Sequence, residues 1–150
     1  MKTQIILFVV LLATLCAFSC EASQSLTSCG TKGDHWQFYH LEAEPNVPNR
    51  GDTVTISFSG NLDEEVTDGF VHFTVMYAEM FELINEVVPL CDDDEDNCPI
   101  PPGSYADSED FEIPDDLPAG HYTFRLEARD QTDDQIFCVL YEFTLFPAEE

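Results

Sequence analysis

Positive charge is what this sequence has least of. Its 150 residues carry only 5 Lys+Arg against 30 Asp+Glu, a formal net charge of −25 with His neutral. A surface so biased repels phosphate backbones and anionic head groups, which argues against nucleic-acid binding and against a polybasic membrane dock. Catalytic patterns are missing as well. There is no G-x-S-x-G, no H-E-x-x-H and no phosphate-binding loop signature, and His35, His40, His72 and His121 are scattered with no Cys or Ser in a catalytic setting. The paired carboxylates Asp115 and Asp116 sit in turn sequence, where solvation is the expected role. No enzyme and no cofactor are therefore expected. No Asn opens an N-x-[ST] acceptor, so N-glycosylation is not expected. The cysteines lack paired C-x-x-C knuckles, which argues against a zinc site, and no metal is assigned.

The one long apolar run is at the start. Met1 and Lys2 precede Ile5 to Ala17, a run without Pro or charge that is too short for a membrane span of roughly 20 residues. Small residues follow it at Ala17, Ser19, Ala22 and Ser23. The pattern is that of a signal peptide, with cleavage expected after Ala22. A cut after Ser19 would leave Cys20 as an odd thiol in an exported chain. Residues 1–22 are thus read as a signal peptide and 23–150 as one mature domain, soluble and large enough to bury a core.

Four cysteines remain in that domain, Cys29, Cys91, Cys98 and Cys138. In an oxidising compartment an even set reads as two disulfides with three possible connectivities. Spacing favours one of them. Cys91 and Cys98 bracket the short acidic stretch Asp92 to Asn97, which leaves Cys29 to join Cys138. The acidic stretch itself invites a calcium reading, but it lacks the spaced ligands and central Gly of an EF-hand, so a solvated loop inside a disulfide is the better one.

From Trp36 onward the apolar period is two. Val54, Ile56 and Phe58 alternate with Thr and Ser; Tyr122, Phe124, Leu126 and Ala128 alternate with polar residues; and Phe137, Val139, Tyr141, Phe143 and Leu145 do so near the end. Gly69 to Ala78 differs, because Val71, Phe73, Val75 and Tyr77 share one face while Phe70 and Met76 occupy the other. Such a strand is covered on both sides or meets a partner. Further strands are expected at Trp36 to Glu44, Phe81 to Val88 and Asp107 to Ile113, seven in all. Turn chemistry separates them at residues 45–51, 99–103 and 114–120. The fold class expected is all-β, an immunoglobulin-like antiparallel sandwich of two sheets. The surplus of aromatic and aliphatic bulk on inward faces allows two readings, a filled core or a dry slot between splayed sheets, and composition alone leaves both open.

Cys29, the Pro45 to Gly51 turn before a Thr-rich strand, Pro89-Leu90-Cys91, Cys98-Pro99-Ile100-Pro101-Pro102-Gly103-Ser104-Tyr105, Leu117-Pro118-Ala119-Gly120-His121-Tyr122 and Ile136-Phe137-Cys138-Val139 stand in an order that spans the mature chain. That ensemble resembles the ML (MD-2-related lipid-recognition) domain family, and most of all its phosphatidylglycerol/phosphatidylinositol transfer branch. The resemblance implies a sandwich whose sheets part around an apolar cavity that holds one lipid, without catalysis. It implies the pairing Cys29 with Cys138 and Cys91 with Cys98. The ligand implied is a phospholipid or a sterol; the chain lacks the additional short-loop disulfide of the Niemann-Pick type C sterol carriers and has Trp36 and Phe38 in that region, which leans toward a phospholipid or a mixed lipid range. Carried over by position, the lipid-binding residues are Val71, Phe73, Val75, Tyr77, Phe81, Tyr105, Phe124, Val139 and Tyr141. Tyr105 is expected to meet a head group with its hydroxyl and cover the chain with its ring.

The function these readings imply is lipid binding and transfer by a monomer that touches a membrane surface transiently, around Phe81 and Tyr105. The compartment expected is the exterior or an endolysosomal or vacuolar lumen. Low pH should speed transfer by lowering the negative charge. Two other uses are a lipid-presenting recognition partner for a membrane receptor, and a structural or calcium-binding secreted sandwich with a filled core.

Overall fold

The computed structural model describes residues 24–91 and 98–147. The expected signal peptide and the acidic stretch Asp92 to Asn97 lie outside the described residues. Within them the chain forms eight strands and no helix: β1 (Ser25–Ser28), β2 (Trp36–Glu44), β3 (Thr53–Leu62), β4 (Gly69–Tyr77), β5 (Phe81–Pro89), β6 (Gly103–Glu112), β7 (Gly120–Asp130) and β8 (Gln135–Leu145). They build two antiparallel sheets, one of five strands in the order β1-β8-β7-β4-β5 and one of three in the order β2-β3-β6.

The strands with strict alternation are where expected. Along β8, Ile136, Cys138, Val139, Tyr141, Phe143 and Leu145 are buried, with half-buried residues between most of them. Two features differ from expectation. The strand count is eight rather than seven, because Ser25–Ser28 pairs with β8; four mostly polar residues carry no period-two signal. β6 begins at Gly103, four residues before the expected Asp107, since pairing with β3 continues through Leu62 opposite Gly103. β2 contains a bulge between Phe38 and His40. The extra residue, Tyr39, is thrown outward at 71% exposure, and the half-step lets Trp36 and Phe38 before it and Leu41 and Ala43 after it face the same interior. All nine residues of β4 are half-buried, and among the described residues no third layer covers its outer face.

Cys29 is joined to Cys138 and Cys91 to Cys98, the pairing that spacing favours. The first pins the short β1 against β8. The second tightens the crossover from β5 in the large sheet to β6 in the small one. In the chain-entropy picture the long closure contributes about 4–5 kcal/mol and the short one about 2–3 kcal/mol.

Two packed clusters hold the sandwich at its ends. Ala43, Val54, Ile113, Tyr122, Tyr141, Phe143 and Leu145 form one, and Leu62, Val66, Ala128 and Ile136 the other. Tyr122 anchors the first: its hydroxyl donates to the Pro118 carbonyl at 2.9 Å, four residues upstream, in the manner of a tyrosine corner.

A polar clamp closes the second end. His35 Nδ1 lies 2.9 Å from Asp63 and 3.6 Å from Glu64 at the end of the small sheet, while its Nε2 is 3.7 Å from Asp130 at the end of β7 in the large sheet. The hydrogen bond to Asp63 raises the His35 pKa above its usual value, against a smaller opposing effect of burial. Burial alone would raise Asp34 and Asp130. Hydrogen bonds outweigh it and lower both, from Thr31 and Gln135 for Asp34 and from the Thr132 and Asp134 segment for Asp130. The raised His35 stabilises the fold fully below its unfolded pKa of about 6.5, and that contribution disappears as pH rises through the folded value. The lowered carboxylates act oppositely, stabilising above about pH 4 and failing as pH falls. Urea unfolding of His35→Gln should therefore show a loss of about 1–2 kcal/mol near pH 5.5 that shrinks by pH 8.5. Equal losses at both pH values would remove protonated His35 from the clamp.

Candidate ligand-binding site

The two sheets meet along one long side only. There β1 and β8 lie against β2, and the His35 amide donates to the Gln135 carbonyl at 3.2 Å. On the opposite side β5 ends the large sheet and β6 ends the small one. No Cα of either comes within 8 Å of the other. The gap is bounded lengthwise by two crossovers. At one end the β5–β6 connection carries the Cys91–Cys98 disulfide and a bridge between Val66 and Ile100. At the other end residues 113–119 lead from β6 back to β7.

Behind this gap lies a cavity of about 660 Å³, in the range of small-molecule sites. β2 and β3 supply one wall through Trp36, Phe38, Leu41, Ile56 and Phe58. β4 and β7 supply the other, mainly through Phe73, Val75, Phe124 and Leu126, and β8 adds Phe137, Val139 and Phe143. Leu83 and Ile84 from β5 and Phe111 from β6 stand at the opening. Aromatic contacts brace the sheets apart at two places. Phe111 stacks on Phe124 with ring centres 6.0 Å apart, and Phe38 meets Phe137 edge-on at 6.0 Å. From Phe137 to Phe143 the wall runs six residue steps, about 20 Å of strand.

Four of the nine residues expected at the site line the cavity: Phe73, Val75, Phe124 and Val139. The other five sit around it. Val71 packs on the cluster of Leu62, Val66, Ala128 and Ile136. Tyr77 packs on Tyr122, and its hydroxyl donates to the Ala119 carbonyl at 2.8 Å. Tyr141 is fully buried, its hydroxyl has no partner, and burial pushes its pKa up to about 12. Phe81 and Tyr105 are on the two edge strands but at opposite ends of the gap. Phe81 lies beside Tyr77, and Tyr105 stacks on Trp36 at 6.2 Å. The Tyr105 hydroxyl donates to the Pro101 carbonyl at 2.6 Å, which leaves it free to act only as an acceptor.

The larger share of the wall comes from residues outside that set. Ile56 and Phe58 were legible as an inward stripe of β3. Trp36, Phe38 and Leu41 share one face only through the bulge at Tyr39, and Leu83 enters through a second irregularity, between Val75 and Met76 in the pairing of β4 with β5. Gly60 shapes the same wall, because a Cβ there would lie 2.5 Å from both the Gln37 carbonyl oxygen and Trp36 Nε1.

A family model described as the ML domain matches residues 23–145. The chain belongs to the ML-domain family. A candidate phosphatidylglycerol/phosphatidylinositol transfer protein of Dictyostelium discoideum is 36% identical over 140 residues, covering 93% of this chain and 99% of its own length. The phosphatidylglycerol/phosphatidylinositol transfer protein of Yarrowia lipolytica is 35% identical over 113 residues, covering 73% of this chain and 59% of that longer protein. Among solved structures, a Niemann-Pick type C2 protein from Japanese carpenter ant superposes with a TM-score of 0.57 at 15% identity, over 81% of this chain and 99% of that one. Chicken MD-1, crystallised with lipid IVa, gives 0.59 at 12% identity, over 83% and 90%. At these identities the two structures establish the shared sandwich fold of this ML domain.

Gly60→Ala tests the packing of Trp36 in the ML-domain wall. The added methyl meets a backbone oxygen that cannot move cheaply, so the variant should lose about 1–3 kcal/mol in urea unfolding, with altered Trp fluorescence since Trp36 is the single tryptophan. An unchanged midpoint and spectrum would show that Trp36 does not close on Gly60.

Proposed function

We propose that this ML domain is an exported, non-enzymatic carrier that takes one lipid, preferentially a phospholipid, into the inter-sheet cavity and delivers it to membranes. The observation that carries the reading is the cavity itself, enclosed by apolar walls and open along one side between two unpaired edge strands. The names of the relatives and the two oxidised cysteine pairs support it. Disulfides persist in extracellular and lumenal compartments, which fits export through residues 1–22 and a mature domain from residue 23 onward.

Each roughly dozen-methylene tail gains on the order of 10 kcal/mol on leaving water, at about 0.8 kcal/mol per CH₂. A bilayer offers almost the same, so exchange between the two is close to neutral and the carrier's contribution is to shield the tail in transit. The edge β5 supplies the membrane contact in this reading. Its Phe81, Leu83, Ile84, Val87 and Val88 are all exposed, an unusual concentration of apolar side chains on one strand of so acidic a chain. The proposed lipid-facing residues are Phe73, Val75, Phe124 and Val139, with Val71, Tyr77 and Tyr141 behind them and Phe81 and Tyr105 at the two ends of the opening.

Organic extraction of the purified full-length product followed by mass spectrometry should release one phospholipid per chain. Val75→Trp, which fills the cavity from β4, should lower that yield several-fold, with a retained far-ultraviolet circular dichroism spectrum and a cooperative urea transition to show that the variant is folded. A wild-type protein that releases no lipid and takes none from vesicles would return the fold to a purely structural role.

A further inference from the structure

The dimensions of the cavity limit how much hydrocarbon it can hold. Its wall runs about 20 Å from Phe137 to Phe143, and its volume is about 660 Å³, so its mean cross-section is about 33 Å². A carbon–carbon bond of about 1.5 Å advances an extended chain by about 1.3 Å per methylene. A methylene fills about as much space as a water molecule in the liquid, roughly 30 Å³. One sixteen-carbon chain therefore matches the length of the wall and fills about 480 Å³, whereas two abreast need about 960 Å³. What one chain leaves over is room for a glycerol backbone and not for a second chain. Widening the slot would break the ring contacts that already span the layers, Phe111 with Phe124 and Phe38 with Phe137.

A second apolar surface continues from the cavity to the outside. Residues directly opposite in an antiparallel pair point to the same face of the sheet. Phe81, Ile84 and Val88 of β5 are opposite Tyr77, Val75 and Val71, which puts them on the inward face of the large sheet. They are nonetheless 57%, 38% and 45% exposed, because β6 does not approach β5 across the gap. Ile84 also lines the cavity, so the two surfaces are continuous. From Phe81 to Val88 the strip is about 20 Å long, again the length of one chain. Glu86, opposite Phe73, is the polar residue within it, and the strip covers a chain from one side only.

We infer that the cavity houses a single acyl chain, and that the second chain of a diacyl phospholipid lies outside it along Phe81, Ile84 and Val88 of β5. The inference rests on the carrier reading above and adds to it how the two chains of the ligand are divided. At a membrane the strip meets the bilayer. In transit the second chain takes the place of the bilayer and covers it.

The test uses delipidated full-length product and phosphatidylglycerol with sixteen-carbon chains, in its monoacyl and diacyl forms. Native mass spectrometry at the lowest saturating concentration of the monoacyl lipid, kept below micelle formation, should show one lipid per protein chain. In a second arm the protein is incubated with phosphatidylcholine vesicles that carry equal trace amounts of the two forms. Both then leave the same membrane, so the charge of the whole protein affects them alike, and mass spectrometry of re-isolated protein gives the bound ratio. Val88→Ser, at an exposed position, should keep a cooperative urea transition and lower the diacyl-to-monoacyl ratio about fivefold, the scale of losing one partly buried apolar contact. Two monoacyl lipids per chain, or a ratio that Val88→Ser leaves unchanged, overturns the inference and leaves the carrier reading standing. Uptake of neither form by the wild type overturns both.

Discussion

The cavity, and with it the proposed lipid site, depends on the two sheets being unable to close along β5 and β6. Closing them would bury Phe81, Leu83 and Ile84, each worth about 1.5–3 kcal/mol for full burial. It would also draw Asp107 and Glu109 from β6 and Glu86 from β5 out of water, at several kcal/mol per unpaired ion. With no cation at the opening to offset that cost, the two sums are comparable at best for closure. Phe111 stacked on Phe124 and Phe38 set edge-on to Phe137 hold the layers apart behind the rim. The cavity is therefore a consequence of where charge is placed along two strands as much as of the aromatic bulk behind them.

That arrangement divides the roles of the two edges. β6 is an edge strand made safe by its acids, since a row of carboxylates discourages pairing with another chain. β5 is apolar and exposed, with Glu82 and Glu86 as its only charges. A long apolar edge is a liability in a monomer unless a surface receives it. In the proposed carrier a membrane is such a surface, and its hydrocarbon competes on nearly equal terms with the cavity for an acyl chain. In the carrier proposed above, uptake and release are then governed by access through the gap rather than by a large difference in affinity.

Much of this was legible in the sequence and some was not, for identifiable reasons. β3, β7 and β8 declare themselves because a strand with one buried face must alternate. The cysteine pairing follows from one short loop and its leftover partners. β1 carries too few residues to show a period, and its place comes from hydrogen bonding to β8 and from the Cys29–Cys138 bond. The start of β6 is hidden because Pro101, Pro102 and Gly103 read as turn chemistry while Gly103 and Tyr105 already pair with Leu62 and Gly60. Of the cavity, Phe73, Val75, Phe124 and Val139 came from the family resemblance by position, and strand phase alone does not set them apart from Val71, Tyr77 and Tyr141 on the same strands. Trp36, Phe38 and Leu41 did not share a phase until the bulge at Tyr39 shifted it.

The acids at the opening show why strand phase must be known before charge can be interpreted. In the sequence Asp107, Glu109, Asp110 and Glu112 form one acidic strand among 30 acidic residues, with nothing to separate them. Register separates them into two sets. Asp110 accepts a hydrogen bond from Thr55 at 2.6 Å, and it and Glu112 also border the cavity. Asp107 and Glu109 stand with Phe58 and Ile56 over the cavity. A one-residue slip of β6 would turn Phe111 to the other face of the sheet. The packing of Phe111 against Phe124 and Tyr141 prevents that slip, so the same aromatic contact that keeps the cavity wide also fixes the phase of β6.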